Sequence, residues 1–235
     1  WLAGDEDRFG IVDLEWLPTI PRNAARGLVT GFGVHWLDGP ASTDMPPRLY
    51  DFTLGYHWRE RLSPTLALDL AFRVGAFSDF ESSARKGVRY PSHAVVYGRL
   101  DPAWELALGV DVLDRDDISL LPVVGAIWTP GPNLRVDALF PRPRAAVRLA
   151  EDVPWIYIRG ELGGGTWAIQ RVDQSRDNAT YRDLRLAGGL EFDLGHGASS
   201  SFEVAYVFAR ELTYRSGVGN YQPGDTIMLS LIGAY

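Results

Sequence analysis

Cysteine is absent from this 235-residue chain, so neither a disulfide framework nor a thiolate metal centre is available to it. Lysine is almost absent as well: Lys86 stands alone, every other basic residue is arginine, and there is no polybasic run. With a net charge of −7, the chain lacks the basic face that phosphate backbones require, so no nucleic-acid partner is expected. No stretch approaches the roughly 18 uninterrupted apolar residues of a membrane-crossing helix. Charged residues make up 23% of the chain and mean hydropathy is −0.09, a value typical of soluble proteins. That average excludes little, because strictly alternating apolar and polar residues cancel in any window. The sequence opens Trp1-Leu2-Ala3-Gly4, with neither an initiator methionine nor a signal peptide, so either a leader was removed or a piece lies upstream; Trp1-Leu2 reads as the tail of a strand, which favours the second.

Glycine (25), proline (15) and aromatic residues (8 Trp, 10 Tyr, 10 Phe) are plentiful, which favours turns and strands over helices. The dominant signal is a period of two. Tyr50, Phe52, Leu54, Tyr56 and Trp58 alternate with Asp51, Thr53, Gly55, His57 and Arg59. Leu66, Leu68, Leu70, Phe72 and Val74 alternate with Ala67, Asp69, Ala71, Arg73 and Gly75. The same pattern covers Trp104 to Val112, Asp183 to Asp193, and Phe202 to Phe208. Weaker versions run through 9–16, 27–37, 92–99, 134–140, 145–150 and 155–162, while 118–128 is apolar on both parities. No window of comparable length repeats every 3.6 residues, so the chain is predicted to be all-β.

Turn residues separate the segments. Short connections are expected at 61–64, 100–102, 129–133, 151–154 and 195–198, and longer ones at 39–48, 76–91, 171–179 and 213–224. Short and long alternate, as an up-and-down barrel with tight turns at one rim and loops at the other demands. The expectation is one domain, residues 1–235, forming a transmembrane antiparallel β-barrel of 12 strands, or up to 14.

Three features favour a membrane barrel over a soluble sandwich. The polar parity mixes Asp, Glu and Arg with Ala and Gly, as suits a narrow ion-paired lumen better than a water-facing surface. Trp58, Trp104, Trp128, Trp155 and Phe202 each lie close to a short turn and would form an interfacial girdle at one rim. The chain ends on an alternating segment, Ile227-Met228-Leu229-Ser230-Leu231-Ile232-Gly233-Ala234-Tyr235, that closes on an aromatic residue. This segment resembles the terminal strand of bacterial outer-membrane proteins, in which Tyr235 would be both a girdle residue and the signal read by the barrel-assembly machinery.

The resemblance extends further. Gly33-Val34-His35-Trp36-Leu37-Asp38-Gly39-Pro40, Leu113-Asp114-Arg115-Asp116-Asp117, Phe140-Pro141-Arg142-Pro143-Arg144 and Gly163-Gly164-Gly165-Thr166-Trp167-Ala168-Ile169 look similar to a planctomycete-type family of outer-membrane barrels. The likeness implies a fold and an outer-membrane location, and no activity.

The inward parity collects Asp51, Arg59, Asp69, Arg73, Glu105, Asp111, Arg135, Asp137, Arg185, Glu191 and Glu203 as lumen-lining candidates, with Glu211 on the same parity as Glu203. Opposite signs on neighbouring strands are expected to pair across the lumen and fill it. His35 and His57 fall on the inward parity of adjacent strands, His93 follows Ser92, and His196 lies in a tight turn; no hydrolase motif surrounds any of them. Asp114, Asp116 and Asp117 lack the spacing of a calcium loop, and Gly163-Gly164-Gly165 precedes no helix that would make it a phosphate cradle. No catalytic, cofactor or metal residue is assigned.

The expected function is therefore non-enzymatic: a narrow or plugged channel, or an anchor for other envelope proteins, with the lipid bilayer as its principal partner. Two rivals remain at this point, an outer-membrane lipid or peptide hydrolase with a site at the extracellular rim and a secreted carbohydrate-binding β-sandwich.

Overall fold

A computed structural model describes residues 1–2, 9–20, 25–39, 43–81 and 83–234. They form an all-β structure without an α-helix among the described residues. The strands are β1 (Gly10–Trp16), β2 (Thr19–Ile20), β3 (Arg26–Asp38), β4 (Arg48–Arg61), β5 (Leu66–Ser78), β6 (Val88–Arg89), β7 (Ser92–Arg99) and β8 (Trp104–Val112). They continue with β9 (Leu120–Gly131), β10 (Leu134–Phe140), β11 (Arg144–Val147), β12 (Trp155–Gln170), β13 (Arg176–Gly195), β14 (Ala198–Tyr214) and β15 (Thr226–Ala234).

All belong to one sheet in which neighbours along the chain pair antiparallel, β1-β3-β4-β5-β7-β8-β9-β10-β11-β12-β13-β14-β15, with β2 and β6 as short additions on β3 and β5. The path holds thirteen strands, against an expectation of 12 and up to 14, and the segment around 145–150 contributes only the four-residue β11. The ambiguous run at 118–128 becomes β9, with Val123 and Ile127 buried and Leu120 and Val124 exposed.

The sheet closes on itself rather than splitting into two facing layers. A parallel bridge between Ser78 of β5 and Ala168 of β12 closes a ring of seven strands, β5-β7-β8-β9-β10-β11-β12, and the other eight strands belong to the same sheet beyond that ring. The two ends of the path also meet. Leu2 bridges Ile11 of β1 on one side and Met228 of β15 on the other, and Trp1 and Leu229 exchange two hydrogen bonds of 2.8 Å.

Most short turns and long connections alternate as expected, but the connection 141–143 is shorter than 148–154, and strand begins inside the segment 171–179, at Arg176. β12 and β13 form a hairpin paired without interruption from Trp155↔Glu191 to Gln170↔Arg176, leaving a turn at 171–175. The polar residues there are compatible with strand because Asp177 and Asn178 are buried and side-chain hydrogen bonds satisfy both.

Side-chain parity follows the sequence. Phe52 (46% exposed), Leu108 (69%) and Leu231 (85%) belong to a continuous outward set, whereas Ala71, Ala107, Ala187, Ala205 and Glu203 on the opposite parity are buried. The polarity is that of a water-soluble sheet turned inside out. One register break alters it. The ladder shifts between Arg182 and Leu184, where Ala209 of β14 takes φ 50°, so Arg210, Leu212 and Tyr214 turn inward. Glu211, expected in the lumen with Glu203, is thereby rotated outward and pairs with Arg182.

Candidate functional site

The inner wall of the barrel is the only extended polar surface that the sequence pattern singled out, and its residues gather into three zones. The first lies around a cavity of about 370 Å³ bordered by Asp13, His35, Asp51, Arg73, Trp167 and Arg185, among others. His35 is 6% exposed and sits between two carboxylates, with Nδ1 2.7 Å from Asp13 Oδ1 and Nε2 3.0 Å from Asp51 Oδ2. Asp51 also accepts the indole N–H of Trp167 at 2.6 Å. β12 leans across the interior to make this bond possible, the same inclination that brings Ala168 to Ser78.

The second zone follows the wall downward from β4 to β8. His57 Nε2 and His93 Nε2 approach Asp69 Oδ1 at 2.8 and 3.0 Å, while Arg59 lies 3.7 Å from Asp69 Oδ2 and over the Tyr97 ring. Asp111 stands opposite His93 in the β7–β8 ladder, and Glu105 pairs loosely with Arg99 at 4.0 Å. Farther round, Arg135 meets Asp137 (2.8 Å) and Arg185 meets Asp183 (2.8 Å); Arg144 meets Glu191 (3.0 Å), and Arg159 binds both Glu161 and Glu203 at 2.6 Å.

The candidates from Asp51 to Glu203 share the inner face of their strands, Glu211 does not, and the pairing is not the expected one. Partners sit two residues apart on one strand or on nearby strands, so the ion pairs run along the wall and leave the bore unspanned. Residues two apart in a strand share a face, which makes this geometry the cheapest for opposite charges.

What fills the bore at the loop rim is apolar. Leu2, Phe9, Ile11, Leu49, Trp167, Ile169, Tyr181, Leu212 and Tyr214 form one buried cluster. The parity pattern does not show it: Trp167, Ile169 and Tyr181 fall between the assigned strands and connections, and Leu212 and Tyr214 change face at the Ala209 bulge.

The third zone is a ring of arginines in the connections of that rim. β12 has no ladder partner on its β11 side between Gly160 and Ala168. There Arg89 donates to Thr166 O (3.2 Å) and Arg115 to Gly163 O (2.9 Å). Asp116 gathers Arg89 (3.0 Å), Asn178 (3.0 Å) and Arg215 (3.0 Å) around its two oxygens. Burial alone would push the Asp116 carboxyl up; the hydrogen bond from Asn178 and the two guanidiniums outweigh it and hold the group below the usual carboxylate range. Asp114 and Asp117 likewise serve the loop, Asp114 capping the Tyr90 amide and Asp117 pairing with Arg115 at 2.9 Å. The glycines of this region make room: Gly164 has φ +96°, and a Cβ there would lie 2.0 Å from Tyr181 O.

On the outer surface Trp58, Trp104, Trp128 and Phe202 lie on the outward parity at the short-turn rim, and Trp104 stacks on Trp128 with centroids 5.8 Å apart. Trp155 departs from this set. It shares a face with buried Tyr157 and sits under Arg148, because the parity of β12 points it inward. Exposed aromatics also occur toward the opposite rim, at Trp36 and Tyr90, so they are not confined to one end. Tyr235 lies outside the described residues.

Each of the three histidines on the inner wall is held by aspartate, and among the described residues none is hydrogen-bonded to a serine. Comparison with protein-family models, with curated proteins and with solved structures finds no match to this chain. The class that fold and site define is a closed β-barrel with an apolar exterior and a charged, partly filled interior.

Proposed function

We propose that the chain is a bacterial outer-membrane protein whose closed sheet, joined end to end through Trp1-Leu2, spans the bilayer as a plugged barrel. Its role is non-enzymatic, as a narrow channel or as an anchor for other envelope components. The observation that carries this reading is the inverted polarity: large apolar side chains are exposed all round the sheet while Glu203 and Asp183, each 1% exposed, are buried inside it. In water that arrangement would expose far more apolar surface than a soluble monomer tolerates; in lipid it is the favourable one. The strands fit the task, since β4, β5 and β9 have 14, 13 and 12 residues and a tilted strand needs about 9–11 to cross the hydrocarbon core. The apolar cluster under the loop rim and the wall-bound ion pairs together support a closed bore over an open pore.

Fractionation and conduction test it. The protein should require detergent, migrate differently on gels before and after heating, and give small or undetectable single-channel conductance in a planar bilayer. A soluble monomer in detergent-free buffer would refute the membrane reading; a large, weakly selective conductance would refute the plug.

A further inference from the structure

We propose that His57, Asp69 and His93 form a binding site for one divalent first-row transition ion of the zinc type on the inner wall of the barrel. The three residues come from three neighbouring strands. His57 of β4 and His93 of β7 both stand opposite Ala71 of β5, and Asp69 lies two residues before Ala71 on the same face. A small side chain at position 71 (6% exposed) leaves the space between the two imidazoles open, and their ring centroids are 6.3 Å apart. One nitrogen from each imidazole and one carboxylate oxygen all lie within 4.8 Å of one another.

The distances suit a shared ion. Zinc sits about 2.0–2.1 Å from imidazole nitrogen and about 2.0–2.2 Å from carboxylate oxygen. Two such ligands at angles between square and tetrahedral are therefore roughly 2.9–3.4 Å apart. The observed separations from Asp69 Oδ1 are 2.8 Å to His57 and 3.0 Å to His93, at the short end of that span, and a turn of the two imidazoles about their side-chain bonds would bring their nitrogens onto a common ion. Arg59 lies beside the other oxygen, Oδ2, which leaves Oδ1 as the ligand atom.

The donor set selects the ion. Two imidazoles and one carboxylate are too few oxygens, and too much nitrogen, for calcium or magnesium; they fit zinc, nickel, copper or cobalt. Three protein ligands leave at least one position for water, and the side chains keep 24%, 15% and 25% exposure toward the lumen, enough for an ion to arrive from that side. Asp111, directly opposite His93 with its Cβ about 5 Å away by ladder geometry, is placed to hold such a water. Bound metal would tie β4, β5 and β7 together across 36 residues of sequence.

The test uses the full chain folded in detergent, stripped with EDTA and titrated with Zn²⁺ alone by calorimetry, then with Co²⁺ to follow its visible absorption. The intact protein is expected to take up one equivalent and to show a higher thermal midpoint with Zn²⁺ present. The His57→Gln/His93→Gln variant, judged folded by heat-modifiable migration, should bind at least tenfold more weakly, while His196→Gln should bind as the intact chain does. Absence of saturable one-to-one uptake by the intact protein would overturn the proposal without any variant, and would mean that the two histidines simply hydrogen-bond Asp69. Undiminished uptake by the double variant would overturn it equally. Neither result depends on membrane insertion or conductance, so the site stands or falls separately from the barrel's proposed role.

Discussion

Trp167 donates its indole N–H to Asp51 at 2.6 Å across 116 residues of chain, linking β12 to β4 through the interior of the barrel. Asp51 in turn holds His35, so one carboxylate ties the apolar plug to the polar wall. Trp167→Phe keeps an aromatic ring in the plug but removes the donor. A hydrogen bond to a charged group is worth about 1.5–3 kcal/mol, and unfolding in urea should show a loss of that order. Trp167→Ala should cost more, roughly 3–5 kcal/mol by analogy with buried aromatic truncations, and should raise single-channel conductance. Unchanged conductance in that variant would show that Trp167 does not help close the bore.

Gly164 and Gly98 offer a matched pair. Gly164 has φ +96° and no room for a Cβ, whereas a Cβ on Gly98 would meet nothing within 4 Å. Gly164→Ala should therefore destabilise by about 1–3 kcal/mol or more through backbone strain, while Gly98→Ala should be near neutral. Chemical denaturation of the two variants decides it, and equal midpoints would argue against the sharp β12 geometry that seats Arg115.

Acid should loosen the loop rim. The Asp116 carboxyl is held below its ordinary range in the folded protein, although burial opposes this, by Asn178, Arg89 and Arg215. A depressed folded value means that the contribution to stability is complete above the unfolded value of about 3.9 and is lost as pH falls through the lower folded value. Protease accessibility of the 113–119 connection should accordingly rise at the acid end in the intact protein. Asp116→Asn should be more accessible already at neutral pH and should respond less to acid. An identical pH response in both would contradict the tether.

Much of the wall was legible in the sequence, and its filling was not. The alternation from Tyr50 to Arg59 or Trp104 to Val112 reports which face each residue takes, because the period of a strand is fixed at two. It cannot report a bulge, and the single positive φ at Ala209 was enough to send Glu211 out and Tyr214 in. Nor can parity say which strand leans across the bore, so Trp167, Tyr181 and Phe9 were not recognised as a plug. The pairing of His57 and His93 through Asp69 depends on the β4–β5–β7 register, which a turn-length reading leaves open. Trp155 shows the same limit: its proximity to a turn was readable, but the facing of β12 was not.

Insertion should fail when the outer band is charged. Leu108 is 69% exposed at the middle of β8, and Leu108→Arg would place a guanidinium on the lipid face at a cost of about 2–4 kcal/mol near the midplane. Folding into liposomes, followed by heat-modifiable migration, should show a sharply reduced yield. Normal yield would mean that this face does not meet hydrocarbon.

The most direct measurement uses the absence of cysteine. Single substitutions Leu106→Cys, Leu108→Cys and Glu105→Cys on β8 can each carry one environment-sensitive fluorophore, attached before folding into liposomes that contain a doxyl-labelled lipid. The account predicts that labels at 106 and 108 emit in the blue and are quenched by the lipid-borne doxyl group, while the label at 105 is not. Quenching of all three by aqueous iodide and of none by the lipid would contradict a barrel whose apolar face lies in the bilayer.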